Sequence, residues 1–381
     1  MGSARSTLSR FLLRSAGYEG SGGTVWFAGS ERRAPSIAPF FCGDDARAGA
    51  TGLVPRQLLD KRITAIATAG GVAILRLPGP DPAYDHLVPR AVAAPPLVDV
   101  TRDLPGDVDT LRSDLLTSTT REDFRRIRRA GFTYRITTDP EAIREFHARH
   151  YVPLVKQRYP DDGLIRSAEH MLRDLPRGGE LVCADLDGIW VAGIGNVAAE
   201  ERYELQNLGI RDADESIRQK RVTAALLVRS LERAVELGKG SVSLGRSVPF
   251  LGKGPVWFKA KWGGVVSRAH VPGNLHVFLD LRHASARRVL ADSPIIHRLG
   301  GDELGAAVWL EPGDDPLRVI TRDAERFPGI LRWHVLGEPE TLAAATSKLS
   351  ANDRILPIPV TLRGDKPLWL GEAVPPPGPL T

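Results

Sequence analysis

Between residues 180 and 245 the apolar positions change period twice, and each change marks an element. Two apolar runs, 180–186 and 189–197, flank Asp187-Gly188. That dipeptide is favoured in tight turns whose central residues need positive φ, so the pair predicts an antiparallel hairpin. Residues 202–210 predict a third strand of the same sheet. The period then lengthens: Val222, Leu226, Leu227, Ser230, Leu231, Ala234 and Leu237 fall on one helical face, and Gly238 supplies the helix stop. Residues 241–245 resume as a strand. Hairpin, strand, helix and strand form an α/β unit whose cleft lies where the strand hands over to the helix.

Upstream, the patterning predicts strands at 24–28, 72–77 and 97–100 and a helix at 58–69, with Pro78-Gly79-Pro80 as a hard stop. Residues 17–56 are otherwise rich in Gly, Ala and Pro with few periodic apolar positions. Residues 121–130 predict a basic helix and 132–137 a strand. A helix over 140–151 is opened by Asp139 as N-cap, with Pro140 at its first position. Downstream, 306–310 and 317–320 read as strands, 340–349 as a helix and 355–360 as an extended segment, before a Pro-rich tail at 375–379.

At 381 residues, 42% hydrophobic and 25% charged, the chain is long enough for two or three domains with real cores. Cys42 and Cys183 are its only cysteines. This argues against a disulfide framework or a cysteine-rich zinc site and for a reducing cytoplasm. The apolar run within residues 1–14 is too short and interrupted for a signal peptide, and no run reaches the roughly 18 to 20 residues that span a bilayer. The net charge of +5 fits an anionic partner, although it arises from only 51 basic against 46 acidic residues. Local clusters say more: Arg125, Arg126, Arg128 and Arg129 crowd one helix, and Arg218, Lys220 and Arg221 precede another. Gly-x-Ser-x-Gly, Walker, His-Glu-x-x-His and Cys-x-x-Cys motifs are absent, so hydrolase, NTPase and metalloprotease readings have no support.

The joint pattern resembles the GNAT superfamily of acyltransferases, and within it the Fem-like branch, over roughly residues 97–285. The resemblance is carried by Arg125-Arg126-Ile127-Arg128-Arg129-Ala130-Gly131, by the helix through His147 to Tyr151 leading to Lys156, Arg158 and Tyr159, and by the hairpin and the strand at 205–210. It continues in Ala234-Val235-Glu236-Leu237-Gly238 and Phe258-Lys259-Ala260-Lys261-Trp262-Gly263. It implies an α/β fold of two GNAT-like halves in tandem, each a mixed, mostly antiparallel splayed sheet with flanking helices. The corresponding domains are a degenerate half over 1–120, a catalytic half over 121–285 and a small α/β extension over 286–381.

The implied function is N-acyl transfer from a phosphorylated thioester or ester donor to an amino group of a small molecule or peptide. Acyl-CoA or aminoacyl-tRNA would be the donor substrate, with no tightly bound cofactor and no metal. Two alternatives stay open: aminoacyl transfer from charged tRNA, with Arg125, Arg126, Arg128 and Arg129 tracking its backbone, and a non-catalytic GNAT-like binding module.

The resemblance also places site residues. The GNAT phosphate loop, Gln/Arg-x-x-Gly-x-Gly/Ala, falls on Arg218-x-x-Arg221-x-Thr223, which makes Arg218, Lys220, Arg221 and Thr223 the donor-binding candidates. Arginine replaces the loop's first glycine, removing close backbone approach while adding charge. Lys259 matches a lysine that balances donor phosphate or the developing oxyanion; the competing reading is a strand lysine with its stem over Trp257 or Trp262. Glu204 and Tyr203 begin the strand where an acid or base is kept, and alternation lets only one of them face the cleft. His147 and His150 are assigned helix-surface or packing roles rather than a metal pair.

Overall fold

The computed structural model describes residues 12–29, 34–77, 82–158, 165–252, 254–350, 352–362 and 366–374, apart from the side chains of 320–322. The stop at 78–80, Tyr159, the tail at 375–379 and all but the last three residues of segment 1–14 lie outside the described residues. The fold is mixed α/β, as expected. It divides into two compact units, one comprising residues 1–98, 246–258 and 266–381, the other 99–245 and 259–265.

The first unit opens with β1 (Leu12–Gly20), β2 (Gly23–Gly29), β3 (Arg47–Pro55), β4 (Val72–Arg76) and β5 (Val92–Ala94). The expected strands at 24–28 and 72–77 are β2 and β4, and the expected helix is Leu59–Thr68. By contrast, β3 and the end of β1 lie within the Gly/Ala-rich stretch where no period was visible. β3 has exposed residues along most of its length, so neither face needs an apolar alternation.

The second unit contains β6 (Val98–Asp103, from Asp99 on), β7 (Thr133–Thr137), β8 (Gly179–Leu186), β9 (Ile189–Ala198), β10 (Arg202–Ile210) and β11 (Ser241–Ser243). These strands run side by side in the order β6-β11-β10-β9-β8-β7. Asp187 and Gly188 both have positive φ, +52° and +77°, as the hairpin turn demands. Labelled helices are α1 (Arg121–Ala130), α2 (Pro140–Phe146), α3 (Glu215–Gln219), α4 (Val222–Glu236) and α5 (Pro255–Lys261). Asp139 accepts from the amides of Glu141 and Ala142 and so caps α2. α4 buries its apolar face against β8, β9 and β10 and ends as expected at Gly238, φ +66°. There the Lys239 amide donates to the Ala234 carbonyl and the Gly238 amide to that of Val235.

The chain then returns to the first unit with β12 (Val265–Arg268, from Val266 on), β13 (Leu275–Phe278), β14 (Ile295–Gly300), β15 (Glu303–Trp309), β16 (Arg332–Gly337) and β17 (Ile355–Pro359). β13 enters between β4 and β5, giving the order β3-β1-β2-β4-β13-β5, while β14-β15-β16-β17 form a separate sheet around buried Trp309 and Trp333. The expected strand at 317–320 is helical instead, over Pro316–Arg318 and Val319–Ala324. The cause is local: the Asp315 carboxylate accepts from the Leu317 amide, and Pro316 occupies the first helical position. Among the described residues no helix is long and apolar enough to cross a membrane.

A buried histidine pair in this last sheet makes the stability pH-dependent. His297 on β14 and His334 on β16 share a 2.9 Å hydrogen bond. Burial pushes His297 down to about 3 and His334 down to about 4. Between those values and the ordinary histidine range near 6.5, the unfolded chain binds more protons than the folded one. Stability is therefore expected to fall as pH descends from about 6.5 toward 4, with a slope approaching about 1.4 kcal/mol per pH unit for each histidine. Urea unfolding across that range checks this, and a His297→Leu/His334→Leu variant should flatten the profile.

Candidate active site

β10 and β11 run parallel over only three pairs, Arg202 with Ser241, Tyr203 with Val242 and Glu204 with Ser243. Beyond Glu204 the two strands part, and β10 continues to Ile210 against β9 alone. Its register on β9 shifts between Leu205 and Asn207, a bulge that re-aims the side chains next to the opening. The polypeptide then passes through α3 and enters α4, whose first amides and positive dipole end have no intrahelical partner.

At the mouth of this splay a chain of polar contacts joins three strands to α5. Arg202 Nη2 lies 3.2 Å from Glu204 Oε1, and its Nη1 lies 4.0 Å from Asp99 Oδ2. Ser243 Oγ donates to Asp99 Oδ1 at 3.1 Å, and the Gly245 amide donates to Ser243 Oγ at 3.2 Å. Lys259 Nζ closes the chain by donating to the Gly245 carbonyl at 2.7 Å. Lys259 therefore sits on a helix rather than a strand, and its amino group reaches the end of β11. Burial pushes its ammonium down to about 7, against the opposing charge of Asp99. A group poised near neutrality can hold or release a proton at working pH.

Tyr203 goes to the other face. It is fully buried; its hydroxyl donates to Glu180 Oε1 at 2.6 Å and accepts from Asn196 Nδ2 at 3.0 Å. Arg233 and Ser230 of α4 complete that network. Burial, the Glu180 hydrogen bond and the Glu180 charge all raise the phenol above its ordinary value. Strand alternation thus gives Glu204 to the polar chain and Tyr203 to the packing of α4.

The donor candidates also separate. Arg218 lies within α3 and donates to Glu215 Oε2 at 2.6 Å, and Lys220 is exposed between the helices. Arg221 is the N-cap of α4, in the left-handed conformation at φ +68°, ψ +28°, and Thr223 is the second residue of the helix. Arg221 thus holds a left-handed conformation that glycine adopts most readily, and its Nε is turned onto Asp123 Oδ1 at 3.3 Å. Asp123 was not singled out by the sequence; it stands unremarked in Arg121-Glu122-Asp123, and its partners Arg221 and Lys261 lie far downstream, the second by 138 residues.

On α1, Arg125 and Arg126 both pair with Glu122, at 3.2 and 2.9 Å, while Arg128 and Arg129 are exposed in the last turn. His147 Nε2 bonds the Arg166 carbonyl at 2.9 Å. His150 is buried with Nε2 3.3 Å from the Trp190 carbonyl, and burial lowers its basicity. Among the described residues no three His, Cys, Asp or Glu side chains converge as a metal site would require.

With that geometry established, residues 117–252 match the family described as "Acetyltransferase (GNAT) domain". This segment is a GNAT domain. It spans β7 to β11 and α4, the elements that form the splay, and makes the protein an acyltransferase. No curated protein matches the chain. Among solved structures, the chain is similar to FemX, at 13% identity and TM-score 0.38, covering 58% of this chain and 75% of that one. It is similar to the C-terminal domain (DUF2156) of a putative lysylphosphatidylglycerol synthetase from Agrobacterium fabrum, at 15% identity and TM-score 0.30, covering 71% and 81%. It is also similar to L-PGS from Bacillus licheniformis, at 13% identity and TM-score 0.32, covering 67% and 76%.

Proposed function

We propose that the protein moves an acyl group from a phosphorylated thioester or ester donor onto an amino group of a small molecule or peptide, within the opening between β10 and β11. The observation that carries this reading is the Lys259 amino group at the Gly245 carbonyl, on the same polar chain as Glu204. In the proposed reaction the acceptor nitrogen attacks the donor carbonyl, forming the C–N bond and a tetrahedral oxyanion. The Lys259 ammonium stabilises that oxygen, and Glu204 takes the proton from nitrogen. Collapse of the intermediate breaks the C–S or C–O bond, and the leaving group departs as the thiol or alcohol after taking up the proton.

The left-handed turn at Arg221 supports a donor whose phosphate is held by the first amides of α4, as a CoA thioester would be. Aminoacyl-tRNA presents the same ester chemistry, and the exposed Arg128 and Arg129 favour it as the second reading. Purified protein incubated with acyl-CoA donors or with charged tRNA, each with a panel of small amines and peptides, tests both by product mass. Product from thioester donors is expected. Product from charged tRNA alone, with binding that weakens in log–log salt by about 0.7 to 0.9 per neutralised phosphate, would transfer the assignment to tRNA. Absence of product and of binding with both donors would refute the reading.

A further inference from the structure

We infer that Asp123 is a positioning residue that sets the donor loop and the lysine-bearing helix together, an inference that rests on the proposed acyl-transfer site. Its carboxylate is 7% exposed and has two cationic partners, each from a different part of the site. Lys261 Nζ donates to Oδ2 at 2.6 Å, and Arg221 Nε lies 3.3 Å from Oδ1. Lys261 is the last residue of α5, two positions after Lys259. Arg221 is the N-cap of α4. One buried carboxylate on the first turn of α1 therefore fixes both the start of the donor-binding helix and the end of the helix that carries the catalytic candidate.

The backbone explains why such an anchor is needed. A non-glycine residue in the left-handed region is disfavoured by contact between its Cβ and the following carbonyl. Arg221 nevertheless adopts it at φ +68°. A glycine there would need no help. The arginine is held by its ion pair, which also turns the guanidinium onto Asp123. Removing the carboxylate releases the guanidinium, and leaves the Lys261 ammonium, 13% exposed, without its counter-charge.

The test compares Asp123→Asn, Arg221→Gly and the double variant in the full chain. Hydrogen–deuterium exchange over residues 215–226, together with the KM and kcat for CoA thioester, supplies the readouts. Asp123→Asn is expected to speed exchange across that segment at least tenfold and to raise donor KM about tenfold. Arg221→Gly, in which glycine takes the left-handed turn unaided, is expected to keep exchange across that segment as slow as in the parent, and its donor KM serves as the reference for the double variant. In the double variant glycine adopts the turn unaided, so slow exchange should return and donor KM should match that of Arg221→Gly alone, while kcat stays lowered by the loss of the Lys261 anchor. A double variant as fast-exchanging as Asp123→Asn would overturn the inference. Exchange that is restored while donor binding never responds in any variant would uphold the role of Asp123 in the turn and refute α4 as the donor site.

Discussion

Lys259→Ala is expected to lower turnover by about 10²- to 10³-fold, the range for losing one preorganised oxyanion donor, with little change in donor KM. The expectation follows from where the amino group lies. It reaches the Gly245 carbonyl at the end of β11, beside the point where β10 and β11 part. Its depressed pKa of about 7 gives the reaction a pH signature. The ammonium form prevails below that value, so kcat at saturating acceptor should fall as pH rises through about 7. Lys259→Arg keeps its charge and should lose that falling limb while retaining part of the rate. A Lys259→Ala enzyme of full activity that melts several degrees lower would reduce the lysine to a structural tie on β11. A loss confined to donor KM would move its target from the carbonyl to phosphate.

The largest effect on stability is expected at Trp262, where alanine should cost about 3 to 5 kcal/mol in urea unfolding. The indole is fully buried and meets the edge of Phe124 at 5.6 Å and 70°. Its carbonyl accepts from Arg102 Nη1 at 2.8 Å. The next residue, Gly263, has φ +79°, which favours glycine, and a Cβ there would push the same guanidinium aside. The aromatic-Gly pair near Lys259 therefore packs against Arg102. A loss below about 1 kcal/mol would show that the surrounding core closes over the site.

The parts of the site that follow a single period were legible from the residues alone. The Asp187-Gly188 hairpin, β10 and the apolar face of α4 each rest on neighbours in sequence, and each lies where patterning puts it. What was not legible depends on distant partners. Nothing local distinguishes Asp123 from Glu122, yet one is buried between two cations and the other is an exposed partner of Arg125 and Arg126. Arg218 and Arg221 read as equivalent charges, but the first is spent on Glu215 within α3 and the second caps α4. Residues 317–320 show the opposite failure. Their apolar content favours a strand, and the Asp315-Pro316 helix start overrides it.

The place of β13 has a consequence for how the protein is made. β4 and β5 emerge from the ribosome early, but the strand that joins them, Leu275–Phe278, follows β4 by roughly 200 residues. At a synthesis rate of about 5 to 20 residues per second, that is a wait of roughly 10 to 40 seconds. During it, Val72–Arg76 offers an unpaired apolar edge to the cell, while most of the GNAT domain, contiguous in sequence, can already form. Chains truncated before residue 275 should therefore yield an ordered acyltransferase fold carrying a sticky, incomplete N-terminal sheet, and chaperone dependence should fall sharply once β13 is included.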